Sequence, residues 1–400
     1  MKKLALVLAI TLIAAFSVTP VIASDFSAGG HYRFEAVSSD PGAGQKSEYF
    51  DQRMRVSFKW AVNDNVSAEL RGDFAETAWG DGYRPGGQLG VAGIADSSGV
   101  VMIDRATVNL KQGPMNLLIG LIEPNLGLGT IWSYQMQGIQ ADFAMKPVTL
   151  SLYYGKESEG GATGNTATDD LLNDDTDLYA VSLNYGSDVF SGGFHYATQK
   201  NEATGYDKNG VGAHFVAPMG GVTLQGELVS FSGDVNATTS WAGTQFHATL
   251  SAPFSETFKG GLTILWADDV AANEAQANSV QDDANFVVLD FAGSLGYNNL
   301  APGCAVFDPA GGAGAMGIVG NIQFAASEAL TLYGKLGYVA PNDKEKTTLD
   351  SKLYAIANAD YAWMPAVTLS AGISYVAPDY EDTTPDDAAV VTTFQLGVSF

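Results

Sequence analysis

Beyond residue 50 the chain settles into strict alternation. Arg53, Arg55, Ser57 and Lys59 are polar, while Met54, Val56, Phe58 and Trp60 fill the positions between them. A repeat of two is the signature of a β-strand, whose successive side chains point to opposite faces. Asn63, Asp64 and Asn65 interrupt the run, after which Val66, Ala68, Leu70 and Phe74 share one face and Ser67, Glu69, Arg71 and Asp73 the other. Two alternating runs around a short polar turn predict a hairpin. Upstream, His31, Arg33 and Glu35 oppose Tyr32, Phe34 and Ala36; downstream, Arg105, Thr107, Asn109 and Lys111 oppose Ala106, Val108 and Leu110. The same pattern recurs to the last run, where Phe394, Leu396, Val398 and Phe400 alternate with Thr393, Gln395, Gly397 and Ser399.

No helix-period segment is present to cover the apolar faces of these hairpins. The economical arrangement is a closed barrel whose apolar outside meets lipid and whose polar inside meets water. Tight connections fall at residues 113–114, 146–147, 186–188, 218–221, 252–256, 327–328 and 364–365. Long ones fall at 78–99, 124–133, 157–175, 200–208, 233–240, 268–314, 341–349 and 378–387. This alternation predicts short periplasmic turns, long extracellular loops and both termini on the periplasmic side. The fold class is therefore all-β, a transmembrane antiparallel up-and-down β-barrel of about 18 strands. Residues 286–297 have strand character and are assigned to the long outer loop; as half of an extra hairpin they would raise the count to about 20, and merging two weak strands would lower it to about 16. Trp60 and Trp363 fall beside predicted periplasmic turns and Trp79, Trp241 and Trp266 at outer strand ends, as two aromatic belts require.

Composition agrees with this picture. Glycine supplies 46 of 400 residues and charged side chains only 16%, and no apolar run after residue 23 is long enough to span a bilayer as a helix. Lys2 and Lys3, the apolar stretch 4–18 and the small-residue site Val21-Ile22-Ala23 read as a secretory signal peptide over residues 1–23, leaving 24–400 as the barrel. The formal net charge is −24, and loss of a leader with two lysines and no acid makes it more negative. Such a surface repels polyanions, so no nucleic-acid partner is expected. Cys304 is the single cysteine, without a partner for a disulfide, a haem-attachment motif or a zinc cluster, and no cofactor is expected.

An alternating strand ending on Phe400, a leader and alternating turn lengths make residues 24–400 resemble the outer-membrane barrels of Gram-negative bacteria. That resemblance implies a place in the cell outer membrane, contact with its lipid and lipopolysaccharide, and Phe400 as an assembly signal. The segments Val62-Asn63-Asp64-Asn65-Val66 and Ala75-Glu76-Thr77-Ala78-Trp79-Gly80 resemble the porin-like channels of metal- and sulfate-reducing bacteria. Porins are commonly homotrimers; a trimer and a monomer are both compatible with this sequence.

All six arginines precede residue 106. Strand parity puts Arg33, Arg53, Arg55, Lys59, Arg71, Arg105 and Lys111 on the lumen face as a positive pore lining, partly neutralised by Glu35, Glu69 and Asp73. Guanidinium groups stay charged and present rigid donor forks, so a row of them attracts anions and orients dipolar solutes. Asp282, Asp283, Asp290 and Asp308 would face that wall if the 268–314 loop folds inward. Acidic clusters around residues 157–177 and 379–387 favour cations at the outer mouth, so the sign of selectivity depends on which charges lie at the narrowest point. His31, His195, His214 and His247 take polar parity, lie far apart in the chain and lack metal-ligand spacing. No GxSxG or other nucleophile placed beside a histidine occurs, so an enzyme is not expected. Leu126-Gly127-Leu128-Gly129 and the glycines of 309–314 lack the lysine and following helix of a phosphate cradle. The expected function is passive diffusion of small hydrophilic solutes or ions through a water-filled pore, that is, a porin. Two rivals are a sheath for a periplasmic cytochrome in an electron conduit and an exporter of anionic polysaccharide.

Overall fold

The computed structural model describes residues 25–40, 46–78, 102–133, 135–158, 176–201, 205–276, 312–381 and 387–400. The wall strands are β1 (Asp25–Asp40), β2 (Ser47–Asn63), β3 (Val66–Ala78), β4 (Met102–Gln112) and β5 (Met115–Ile122). After the short β6 (Asn125–Leu126) and β7 (Trp132–Ser133) come β8 (Met136–Met145), β9 (Val148–Ser158), β10 (Thr176–Gly186), β11 (Ser191–Asn201), β12 (Tyr206–Met219), β13 (Val222–Asn236), β14 (Thr239–Pro253) and β15 (Phe258–Ala267). Past the three-residue β16 (Glu274–Gln276) the wall resumes with β17 (Ala315–Ala325), β18 (Leu330–Ala340), β19 (Leu349–Met364), β20 (Val367–Tyr380) and β21 (Ala389–Ser399).

Leaving out β6, β7 and β16, the wall has 18 strands, each antiparallel to the next. β21 pairs back onto β1 from His31↔Ser399 to Asp40↔Val390, so the sheet closes. The seam runs one step further, because Gly30 donates its amide to the Phe400 carbonyl at 2.8 Å and Phe400 returns the bond to Gly30 at 3.0 Å. Closure satisfies every wall strand laterally, which a bilayer demands of any sheet that crosses it.

The faces are inverted relative to a water-soluble sheet. Leu336, Ile264 and Leu228 on the outside are 59%, 48% and 49% exposed, while Glu227, His247 and Thr263 on the inside are 1%, 1% and 0% exposed. Two apolar belts break the polar interior. Tyr354, Val339 and Val391 belong to one, on β17–β21 and the adjoining ends of β1 and β15. Leu178, Ala197, Val229 and Phe231 belong to the other, on β10, β11 and β13.

All the tight turns expected from sequence are found, and three of the long connections differ. Residues 233–240 form a hairpin tip, with β13 reaching Asn236 and β14 resuming at Thr239. The Asn236 side-chain oxygen closes it by accepting from the amides of Thr238 and Thr239 at 2.9 and 3.1 Å. Its Ser, Thr and Gly residues read as a loop by polarity, but a strand ladder beyond the lipid needs backbone bonds and no apolar face. Similarly, β11 runs to Asn201 and β12 starts at Tyr206. Residues 124–133 turn inward. Trp241, expected in the outer belt, is half-buried against the inner apolar cluster and lies 4.1 Å from Lys208 Nζ. It shares the parity of Gln245 and His247, which face inward. Residues 1–24, 79–101 and 286–297, the acids of 282–308 and Cys304 lie outside the described residues.

Candidate functional site: the charged inner wall and the inward loop

β1 to β4 carry a ladder of charges on the inner face. Directly opposed residues include like-charged pairs, Arg33↔Arg53, Glu35↔Asp51 and Arg71↔Arg105. Like charges in register repel, and the diagonal contacts relieve this. Arg33 reaches Asp51 at 3.2 Å and Glu35 at 3.4 Å. Arg55 binds Asp73 through two nitrogens, both at 2.7 Å, and its Nη2 also meets Asp104 at 2.9 Å. Arg71 takes Asp104 at 2.8 Å and approaches Glu123 at 4.0 Å. Arg105 takes Glu123 at 2.5 Å and Glu69 at 4.0 Å, and Lys59 stands 3.8 Å from Glu69. Lys111 is exposed at the foot of β4, where its amide donates to the Asn65 carbonyl at 2.7 Å.

Three of these carboxylates, Asp51, Asp104 and Glu123, were not singled out by sequence parity. With them six carboxylates, Glu35, Asp51, Glu69, Asp73, Asp104 and Glu123, stand on the same wall as the six cations Arg33, Arg53, Arg55, Lys59, Arg71 and Arg105. The wall is thus a ladder of alternating sign rather than a positive face. Asp104 reaches the interior through a bulge. The β3–β4 register slips between Arg71 and Gly72, pairing Arg71 with Arg105 but Gly72 with Ile103. Asp104 is the extra residue, so it and Arg105 turn inward together. Strict parity would have pointed Asp104 at lipid, a costly place for a carboxylate, and that conflict was a readable signal of the bulge.

Glu123 begins the second element, the inward loop. β6 and β7 pair within it, and Gly129 donates to the Leu126 carbonyl at 3.1 Å. Leu126 and Ile131 are both 0% exposed because they pack on the inner apolar belt of β10, β11 and β13. Those strands carry apolar residues on both faces over a short stretch, which announces an internal cover. The tip is fixed where the Thr130 amide donates to Glu227 Oε2 at 3.3 Å. Gly127 has φ +70, and a Cβ there would overlap Glu227 Oε1, so only glycine fits. The loop is therefore tied to the arginine ladder at Glu123 and to the far wall at Glu227.

A recess of about 310 Å³ lies at the periplasmic mouth between His31, Glu328, Thr331, Asp360, Thr368 and Gln395. His195, His214 and His247, distant in sequence, lie on β11, β12 and β14 beneath the inward loop. Among the described residues no group of histidines and carboxylates has the geometry to hold a metal ion.

No protein-family model matches the chain, and no curated protein matches it. Solved structures do. OccAB1 of Acinetobacter baumannii superposes with a TM-score of 0.63 at 12% identity, over 94% of this chain and 96% of that one. OccK11 (OpdR) of Pseudomonas aeruginosa gives 0.60 at 14% identity, over 94% and 96%. OccK2 (OpdF) of the same organism, in complex with glucuronate, gives 0.59 at 10% identity, over 94% and 98%. At these identities the likeness concerns architecture, and in architecture the chain has the 18-stranded barrel fold of the Occ outer-membrane porins.

Proposed function

We propose that this chain is a porin of the Gram-negative outer membrane, passing small hydrophilic solutes or ions by passive diffusion. The observation that carries the reading is the combination of a lipid-compatible exterior with a charge-laddered interior facing an inward loop. Solutes are sorted by the width left beside the loop and by the local fields of Arg33, Arg53, Arg55, Lys59, Arg71 and Arg105 against their carboxylates. Alternating signs a few ångströms apart suit solutes that carry charge and hydrogen-bonding groups together better than simple anions. A neighbour crystallised with glucuronate, a small polyhydroxy carboxylate, supports that solute class. Phe400, bonded across the seam to Gly30, is the proposed assembly signal, and residues 1–23 the proposed export leader. The subfamily likeness to channels of metal- and sulfate-reducing bacteria rests on its two short motifs and belongs to this proposal, as do contact with lipopolysaccharide and assembly as a homotrimer. The inward loop occupies space that a threaded cytochrome would need, which sets the sheath reading aside.

Single-channel recording of the purified protein in a planar bilayer under a salt gradient tests this. Stable open steps with solute-dependent block are expected. Silence from correctly folded protein would overturn the proposal.

A further inference from the structure

The row of side chains beneath the inward loop has no evident part in solute passage. Glu227 on β13 stands in register between His214 on β12 and His247 on β14. His195 on β11 joins the row through a 2.7 Å contact between its Nε2 and His214 Nδ1, with the rings stacked at 4.9 Å. His195, Glu227 and His247 are 4%, 1% and 1% exposed. Among the described residues His195 Nδ1, Glu227 Oε1 and His247 Nε2 have no hydrogen-bond partner, an unusual concentration of unsatisfied buried atoms.

A contact of that length between two ring nitrogens holds one proton, since one nitrogen must donate and the other accept. Two added protons, one on each ring, leave no acceptor in the contact and place two cations ring against ring, so the contact breaks. Glu227 is the carboxylate beside these imidazoles, and its other oxygen clasps the loop at Thr130. The loop tip rests directly on both groups: a Cβ at Gly127 would overlap Glu227 Oε1 and lie 3.5 Å from His195 Cδ2. Among the described residues the surrounding elements bring no competing charge at this level. Ser182 of β10 faces His195, Leu265 of β15 faces His247, and Lys208 of β12 lies further along under Trp241. The one charged residue of the loop, Glu123, is tied to Arg105.

We infer that this row is a proton-operated latch on the inward loop. With neutral imidazoles the His195–His214 contact and the Glu227 clasp hold the loop against the wall and the pore stays open. Protonation breaks the contact, turns Glu227 toward imidazolium instead of the Thr130 amide, and frees the loop to swing into the lumen. The inference rests on the porin reading for its consequence, closure, but not for the release itself.

The test is single-channel recording of the full chain between about pH 8 and pH 4, a range that reaches well below the free imidazole value near 6.5. The wild type should be steadily open at the upper end and lose at least ~2-fold in time-averaged conductance at the lower. The triple variant His195→Gln, His214→Gln, His247→Gln should conduct normally at high pH and lose the pH response, while His31→Gln, at the periplasmic mouth, keeps it. A wild type indifferent to pH, or a triple variant that still closes, overturns the latch. No current at any pH would sink the porin reading alone, and the latch would then be read by thiol labelling. In a Cys304→Ser background, Thr130→Cys should react with a methanethiosulfonate reagent faster at the lower pH with histidines present than with glutamines. Equal rates in the two backgrounds at each pH overturn it. Heat-modifiable migration on a gel verifies that each variant has folded.

Discussion

Asp104 joins two rungs of the charge ladder, and Asp104→Asn is the most informative single change. Its carboxylate meets Arg55 Nη2 at 2.9 Å and Arg71 Nε at 2.8 Å while 8% exposed. Neutralising a buried partner of this kind costs about 3 kcal/mol when the cation is stranded. Here Arg55 keeps Asp73 at 2.7 Å and Arg71 keeps Glu123 at 4.0 Å, so the loss should be nearer ~2 kcal/mol. The electrical effect is separable. One unbalanced positive charge acting on an ion ~7 Å away in lumen water, screened over a Debye length of ~8 Å, is worth about 0.25 kcal/mol. That lowers cation occupancy and raises anion occupancy by ~1.5-fold each, so the anion-to-cation permeability ratio rises ~2-fold. Reversal potentials in a salt gradient measure the ratio and urea titration in lipid vesicles the stability. A reversal potential unchanged from wild type, in protein of normal conductance, would refute the claim that this rung faces the permeation path.

Other consequences are as direct. Gly127→Ala should strain a left-handed position by about 1–3 kcal/mol and push the loop off Glu227, lowering the unfolding midpoint and altering unit conductance; a variant matching wild type in both would show the clasp to be irrelevant. Leu336→Arg places a guanidinium on the lipid side and should cost ~2–4 kcal/mol near the bilayer midplane, read by urea unfolding in vesicles, with no loss expected if that face were turned to water. In the outer loops, the hydrogen bond from Lys346 at 2.7 Å holds the Asp269 carboxyl below its usual range. A depressed carboxyl contributes stability above its unfolded value that is lost as pH falls through the folded one. The Val270 amide, bonded to the Gly312 carbonyl at 3.0 Å, should thus remain protected from hydrogen exchange at about pH 4 and open only in stronger acid. Lys346→Met should move that opening to higher pH, and an unmoved profile would contradict the assignment.

The barrel was legible because its rule is local: each of Arg53 to Trp60 declares its face by parity, and turn residues declare the ends. What escaped was whatever breaks parity or depends on register. The bulge at Asp104 shifts one residue and turns a lipid-side position inward. The inward course of 124–133 is decided by a partner surface around Leu178 and Val229, distant in sequence. The histidine row needs the pairings β11–β12, β12–β13 and β13–β14 at once, and each register depends on where strands begin, which polarity alone misplaced at 200–208 and 233–240. The basic half of the ladder was visible as an arginine-rich start, and Glu35, Glu69 and Asp73 with it by parity; Asp51 and Glu123 were not, since they acquire meaning only from the guanidinium groups they meet.

The bonds between Gly30 and Phe400 also set a schedule. They join stretches separated by nearly the whole described chain, so the entropy of closing that loop falls on the last pairing to form. During synthesis and export every intermediate lacks its seam and carries two bare strand edges, each a template for joining another chain. A chain interrupted before β21 has no shorter barrel to fall back on, because the β1 edge finds its partner nowhere else. Only when Phe400 pairs with Gly30 does the sheet lose its two bare edges.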